Sequence, residues 1–212
     1  IVKHFAPSYV YIDDCDAFKN QNPAITTKYI NGDSALADLI NHEDVDVIIC
    51  AISGFAGLKA AYIAASTGKK ILLANKESVV AGGDIILPLA KSNNSEIIPI
   101  DSEHNAIFQC LLGEDDTKDV KKITITASGG PFLNKKLSEL KNVSKSEALN
   151  HPNWKMGSKV TIDSATLVNK CLELIEAKYL FELDEKYFDL VKFVKDRPGH
   201  DIRYALNSNK IK

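Results

Sequence analysis

The segment VDVIIC, Val45–Cys50, is apolar apart from Asp46. A strand buried on both faces has this character, because helices cover each side of a parallel sheet and no polar face is needed. Similar short runs recur at Lys70–Ala74 and Glu96–Ile100, and Tyr9–Ile12 reads as a further strand. Helical patterns lie between them: Ser34–Ile40, started by Asp33 or Ser34, the Ala-rich Phe55–Ser66 ending near Gly68, and Asp84–Ser92. Parallel neighbours cannot be joined by a tight turn, so this alternation predicts an α/β fold with a parallel sheet and right-handed crossovers.

Beyond residue 100 the pattern changes. His104–Leu112 reads as a short helix after a strand end, and Gly113–Lys122 as a charged surface connection. Ile123–Ala127 (ITITA) alternates and is expected as a strand. Ser128–Trp154 lacks regular pattern and contains Gly129, Gly130, Pro131 and Pro152. A loop of that length in a compact domain is usually functional or mobile. Asp163 or Ser164 is then expected to cap a helix running to about Phe181, apolar nearly all round and therefore buried.

Composition narrows the function classes. The 212 residues suffice for one large domain or parts of two. With 26 basic and 28 acidic residues the net charge is -2, which leaves no basic excess to hold a polyanion. No apolar run approaches the roughly 18 residues of a membrane span, and no signal peptide is visible at the N-terminus. Cys15, Cys50, Cys110 and Cys171 are far apart, as expected of reduced thiols rather than a disulfide framework or zinc site. Met156 is the only methionine, so Ile1 is expected to be a fragment boundary.

Five segments could carry chemistry. Asp101-Ser102-Glu103-His104 follows the strand Glu96–Ile100, and ligands of parallel sheets gather at the carboxyl ends of strands. Two carboxylates one residue apart suit a hard divalent cation, although acids at strand ends also cap helices. On the later helix Glu173 lies one turn from Asn169 and beside Lys170, either as an internal ion pair or as a metal ligand next to a phosphate-binding amine and amide. Ser128-Gly129-Gly130-Pro131-Phe132 is a tight turn or a set of backbone N–H groups for phosphate. His151–Gly157 (HPNWKMG) holds the only Trp and Met, as packing anchor or substrate lid. Asn75-Lys76-Glu77-Ser78 follows a strand end, as an exposed turn or part of a site.

Taken in order and at their separations, AISGFAGL (51–58), LLANKES (72–78), PIDSEHNAIFQCL (99–111), ASGGPF (127–132) and HPNWKMGSKVTIDSATLVNKCLELIEA (151–177) resemble the 1-deoxy-D-xylulose 5-phosphate reductoisomerases over about residues 1–185. The resemblance implies a partial doubly wound parallel, Rossmann-like NADPH domain in residues 1–100 and an α+β catalytic domain in 101–185. It implies Asp101, Glu103 and Glu173 as ligands of Mg²⁺ or Mn²⁺, and Ser128, Ser164, Asn169 and Lys170 as the grip on a substrate phosphate. Lys76 and Ser102 match residues close to the substrate, and Asn75 and Glu77 lie where the family meets its nicotinamide. His151, Trp154 and Met156 match a mobile lid. The implied reaction is metal-assisted rearrangement of deoxyxylulose phosphate, then NADPH reduction to 2-C-methyl-D-erythritol 4-phosphate. A small phosphosugar substrate and a homodimer follow by the same resemblance; a bacterial cytoplasm is the default location with no transit segment shown, and the charge balance and hydropathy lead to no nucleic-acid or membrane partner being expected.

Three departures accompany it. No G-x-G-x-x-G-like turn precedes Tyr9–Ile12, and nothing matches the family's C-terminal helical domain. Residues 186–212 fall outside the family pattern, and Phe193–Ile211 (FVKDRPGHDIRYALNSNKI) resembles the C-terminal region of dTDP-glucose 4,6-dehydratases. A cut sheet edge and an absent domain would expose apolar surface, so poor solubility is expected. Alternatives are a non-catalytic remnant binding metal and phosphosugar only, and a sugar-nucleotide 4,6-dehydratase fragment, which rests on the tail alone.

Overall fold

The computed structural model describes residues 2–14, 16–17, 26–32, 34–113, 120 and 123–183. The tail resemblance at 193–211 therefore lies outside the described residues. The elements run α1 (Val2–Phe5), β1 (Tyr9–Tyr11), β2 (Lys28–Ile30), α2 (Ala35–Asn41), β3 (Val47–Cys50), α3 (Gly57–Ala65), β4 (Lys70–Leu73), α4 (Lys76–Ser92), β5 (Glu96–Pro99) and α5 (Ser102–Leu111). A 3₁₀ turn (Glu139–Asn142), α6 (Lys145–Ala148), α7 (Ser158–Ala165) and α8 (Val168–Leu180) follow. The chain divides into two compact units. The first is Ile1–Ile123 with Ile175–Leu183; the second holds Thr124–Leu174.

In the first unit every ladder is parallel. β4 lies between β3 and β5, pairing Ile48↔Ile71 and Ile71↔Ile97, while β1 pairs β2 with Tyr9↔Lys28. The apolar runs become strands because helices cover the Ile71 and Leu73 face of β4. Ile71 and Leu73 are 2% exposed and pack with Ala64, Ala65, Val79 and Ile86 of α3 and α4. Burying a side chain such as Ile71 contributes about 1.5–3 kcal/mol. Val47 and Ile49 on the outer strand β3 stay exposed.

Helix α4 begins eight residues before the sequence expectation of Asp84. Asn75 caps it, its side chain accepting the Ser78 N–H at 2.8 Å. The Gly82-Gly83 pair, an apparent break, stays inside the helix with a kink at Gly82 (φ -141°). Gly83 is retained by packing: a Cβ there would stand 2.8 Å from the Tyr179 ring. Tertiary contact overrides the low helix propensity of glycine here.

Three expectations are corrected in the later chain. Ile123–Ala127 forms no strand, because alternation supplies a face but no neighbouring strand pairs with it among the described residues. Ser128–Trp154 is not wholly irregular, since it contains the 3₁₀ turn and α6. The expected helix from Asp163 or Ser164 is two helices. Both residues lie inside α7, and Leu167 adopts φ +61°, which ends one helix before α8 starts. The described residues after Pro99 are helices and turns only, so α+β character is not seen there. Cys50 is buried, Cys110 and Cys171 are exposed, and all are free thiols. No helix among the described residues is long and apolar enough to cross a membrane.

Candidate active site

Asp101 ends the excursion of β5 and caps α5, its Oδ1 accepting the His104 N–H at 2.8 Å. Its Oδ2 accepts His104 Nδ1–H at 2.6 Å, and Lys76 Nζ stands 4.0 Å away. Burial pushes the Asp101 carboxyl up, but the side-chain and backbone hydrogen bonds of His104, with the charges of His104 and Lys76, hold it below the usual carboxylate value. The helix-cap alternative for Asp101 is thus real, yet each carboxylate oxygen keeps a second lone pair for a cation. Glu103 is half-buried and its Oε2 accepts the Ser102 hydroxyl at 2.6 Å.

His104 itself is fully buried, stacked on Phe181 with ring centroids 6.2 Å apart. Its Nδ1 is also 3.3 Å from Glu176 Oε2, and Glu176 is 1% exposed. The ligand-capable atoms of Asp101, His104 and Glu176 lie within 4.8 Å of one another. The 2.6 Å approach of His104 to Asp101 is a hydrogen bond. His104 and Glu176 received no role from the sequence. The available signals were the i, i+3 step from Asp101 to His104 and the second acid three residues after Glu173.

At the start of α4, Asn75 is 3% exposed and spends its amide inside the chain. It donates to Ile52 O at 2.5 Å, Gly54 O at 2.9 Å and Glu77 Oε2 at 3.1 Å. The same side chain accepts from Ser78 N–H. Asn75 therefore pins the 52–54 loop to the mouth of β4, a shaping role for the place expected to meet nicotinamide.

In the second unit the first half of α8 buries an acid rather than oils. Glu173 is 1% exposed, whereas Val168 is exposed, so the expectation of a helix buried all round is corrected. Asn169 Nδ2 donates to Glu173 Oε1 at 2.5 Å and Lys170 Nζ to Oε2 at 2.6 Å. A buried carboxylate demands such partners. The ion-pair alternative is present, and it gathers the three residues expected to serve metal and phosphate.

The glycine-rich turn and α7 also meet. Gly130 (φ +64°) approaches so closely that a Cβ would stand 2.8 Å from Ser164 O. Only glycine satisfies both that φ and that contact. Ser128 Oγ is 3.0 Å from His151 Nε2 and accepts the Gly130 N–H at 3.3 Å. Ser128 and His151 thus pair beside Gly130, which the Ser164 backbone closes off, and His151 is only 8% exposed. Trp154 and Met156 are 51% and 37% exposed, so their side chains face solvent beside it. The donor chemistry fits the implied groups: oxygen-only carboxylates for a hard cation, and hydroxyl, backbone N–H, amide and ammonium donors for a phosphoryl group.

Two family models match the chain. One, described as 1-deoxy-D-xylulose 5-phosphate reductoisomerase, covers residues 1–83; the other, the C-terminal domain of that enzyme, covers 97–181. The reductoisomerase of Vesicomyosocius okutanii subsp. Calyptogena okutanii (strain HA) is 46% identical over 88% of this chain and 49% of its own length. That of Thermoanaerobacter sp. (strain X514) is 44% identical over 90% and 50%. A crystal structure of DOX-P reductoisomerase in complex with NADPH, fosmidomycin and magnesium superposes with a TM-score of 0.79 at 42% identity, over 88% of this chain and 49% of that one. The Zymomonas mobilis reductoisomerase with NADPH gives 0.77 at 36% identity, over 88% and 48%. The chain spans about half the length of the curated relatives it matches.

Proposed function

From a chain that belongs to the 1-deoxy-D-xylulose 5-phosphate reductoisomerase family, we propose the part of that enzyme which holds metal and phosphosugar and contributes to the NADPH site. The proposed activity of the whole protein is NADPH- and divalent-metal-dependent conversion of 1-deoxy-D-xylulose 5-phosphate to 2-C-methyl-D-erythritol 4-phosphate. Residues 1–100 are read as the later part of a Rossmann-like NADPH domain, and 101–185 as the metal and substrate part. The same reading makes the whole protein a cytoplasmic homodimer with a small phosphosugar substrate and no nucleic-acid or membrane partner.

One observation carries it. The carboxylates Asp101 and Glu103 open α5 at the carboxyl end of a parallel strand, where Asp101 is held ionised by His104 and Lys76. Asp101, Glu103 and Glu173 would hold Mg²⁺ or Mn²⁺, while Ser128, Ser164, Asn169 and Lys170 would hold the phosphate. When bound, the metal would supply Lewis acidity and NADPH a hydride. Lys76 and Ser102 would orient the substrate next to Asp101 and Glu103. Asn75 and Glu77 would shape the nicotinamide edge, and His151, Trp154 and Met156 would exclude water.

Calorimetric titration with a phosphonate hydroxamate, with and without Mn²⁺, tests this reading. Binding should require Mn²⁺ and vanish in Glu173→Gln, which keeps the shape of a buried side chain but removes its charge. Metal-independent binding would overturn the ligand assignment. A folded chain that binds nothing would overturn both this reading and the remnant alternative, which also holds metal and phosphosugar.

A further inference from the structure

We propose that Glu176 is a positioning residue for the carboxylate of Asp101: it takes over the His104 ring N–H when a divalent cation claims Asp101. The inference rests on the reading above, in which Asp101 is a metal ligand, and adds to it a residue that acts through His104 alone.

A single residue holds both oxygens of Asp101. Oδ1 accepts the His104 backbone N–H at 2.8 Å, and Oδ2 accepts the ring Nδ1–H at 2.6 Å. A cation bound to Asp101 therefore shares an oxygen with one of these donors. Its charge draws electron density from the carboxylate and repels the polarised N–H, so the hold on His104 weakens. The first donor is fixed by the backbone of α5, and the ring contact is the one that yields. An exposed ring N–H would then turn to water. His104 is 0% exposed, and Phe181 stacks on its ring. A buried donor stripped of its acceptor costs the full desolvation of that group, which would subtract from metal affinity.

Glu176 supplies the alternative. Its Oε2 stands 3.3 Å from the same Nδ1, in a side chain 1% exposed. A carboxylate accepts at several lone-pair positions, so it can receive this N–H beside its other contacts. The three groups already lie within 4.8 Å of one another, so a small tilt of the ring passes the hydrogen bond from Asp101 to Glu176. No proton leaves Nδ1. Asp101, His104, Glu176 and Phe181 all belong to the first unit. Between the two α8-side partners, Tyr179 closes on Gly83 and donates its hydroxyl to Asp84 at 3.2 Å, which seats this end of the helix on α4. A leucine of similar size at 176 would hold the fold at least as well, because a buried charge is costly to desolvate. The acid is placed where a displaced ring N–H needs an acceptor.

Two measurements test it. The first is Mn²⁺ titration of the full chain, read by the electron paramagnetic resonance of the free ion. Glu176→Leu, which fills the space without an acceptor, should weaken Mn²⁺ binding about tenfold, the effect of one orphaned donor. Thermal unfolding of the metal-free variant should stay at or above that of the unmodified chain. Glu176→Gln keeps an acceptor but drops the charge, and should recover most of the loss. Equal losses in Leu and Gln would mean that charge alone attracts the cation, and full affinity in Leu would mean a structural role only. Either result overturns the proposal. The second measurement needs no variant to fold. In the unmodified chain the His104 Nδ1–H, assigned by through-bond ¹H–¹⁵N correlation, should resonate far downfield because its bond is short. It should move upfield when Mg²⁺ is added, and a signal left in place would sink the idea. If the unmodified chain bound neither ion, the proposed function would fall and this inference with it; binding without the Glu176 effects would overturn the inference alone.

Discussion

The two units are held by different physics. Around β4 the first unit buries an apolar cluster of Ile71, Leu73, Val79 and the alanines of α3, and it buries Asn75, Ser78, His104 and Glu176 besides. Among its described residues the second unit buries His151, Thr161 and Glu173, and of the hydrophobic residues only the small Ala148 and Ala165. Its cohesion comes from directed contacts: Ser128 to His151, Gly130 against Ser164, Asn169 and Lys170 on Glu173. Hydrophobic burial is non-directional and tolerates repacking. Hydrogen bonds fix atoms in place at small net gain, and are expensive to break when buried. The first architecture stabilises a platform; the second places groups.

The largest test of that contrast is Ile71→Ala. It should cost about 2–5 kcal/mol by the cavity it leaves, a large share of the roughly 5–15 kcal/mol that stabilises a domain. Urea unfolding followed by circular dichroism would read it. A loss under about 1 kcal/mol would mean that the sheet is not the platform. Next comes Gly130→Ala, where a positive φ and a backbone clash together should cost about 1–3 kcal/mol. Hydrogen exchange should rise in residues 128–133 and 161–165 and stay unchanged in β4. A change spread evenly over both regions would erase the distinction.

The same contrast explains what could be read from the amino acids. Apolar runs at Val45–Cys50, Lys70–Ala74 and Glu96–Ile100 announced their strands by composition, but the expected burial on both faces is corrected, since Val47 and Ile49 stay exposed and only one face of β4 is fully buried. The start of α4 was missed because its evidence is a single cap at Asn75 and a ring packed on Gly83. Both are pairwise facts that periodicity does not carry. ITITA misled for the converse reason, since a fitting pattern without a neighbouring strand makes no ladder. In the site, segment identity was legible from long motifs, and Asp101, Glu103, Ser128 and Glu173 stood out by residue type. The coupling of His151 to Ser128 across 23 residues, and the burial of His104 against Glu176, depend on the fold and left no local trace.

The smallest effect concerns α6, whose capping box lies on the surface of the second unit. Ser144 Oγ accepts the Glu147 N–H while the Glu147 carboxylate accepts the Ser144 N–H at 2.8 Å. Lys135 Nζ adds an ion pair at 2.6 Å. Led by the Lys135 hydrogen bond and then those of Ser144, these contacts lower the Glu147 pKa from 4.5 to about 2. A depressed carboxylate stabilises the fold above its unfolded pKa and loses that contribution as pH falls toward the folded value. The cap should therefore be complete near neutrality and weaken only as pH falls from about 4.5 toward about 2. Carboxyl ¹³C shifts at pH near 4.5 should show Glu147 still ionised while an unperturbed glutamate is half protonated. Lys135→Ala should return its midpoint toward the ordinary value and loosen α6 alone, with little change in global unfolding because exposed pairs contribute little. If the substitution instead lowered the stability of the β4 core, the second unit's directed contacts would be carrying the fold, and the contrast between platform and placement would fail.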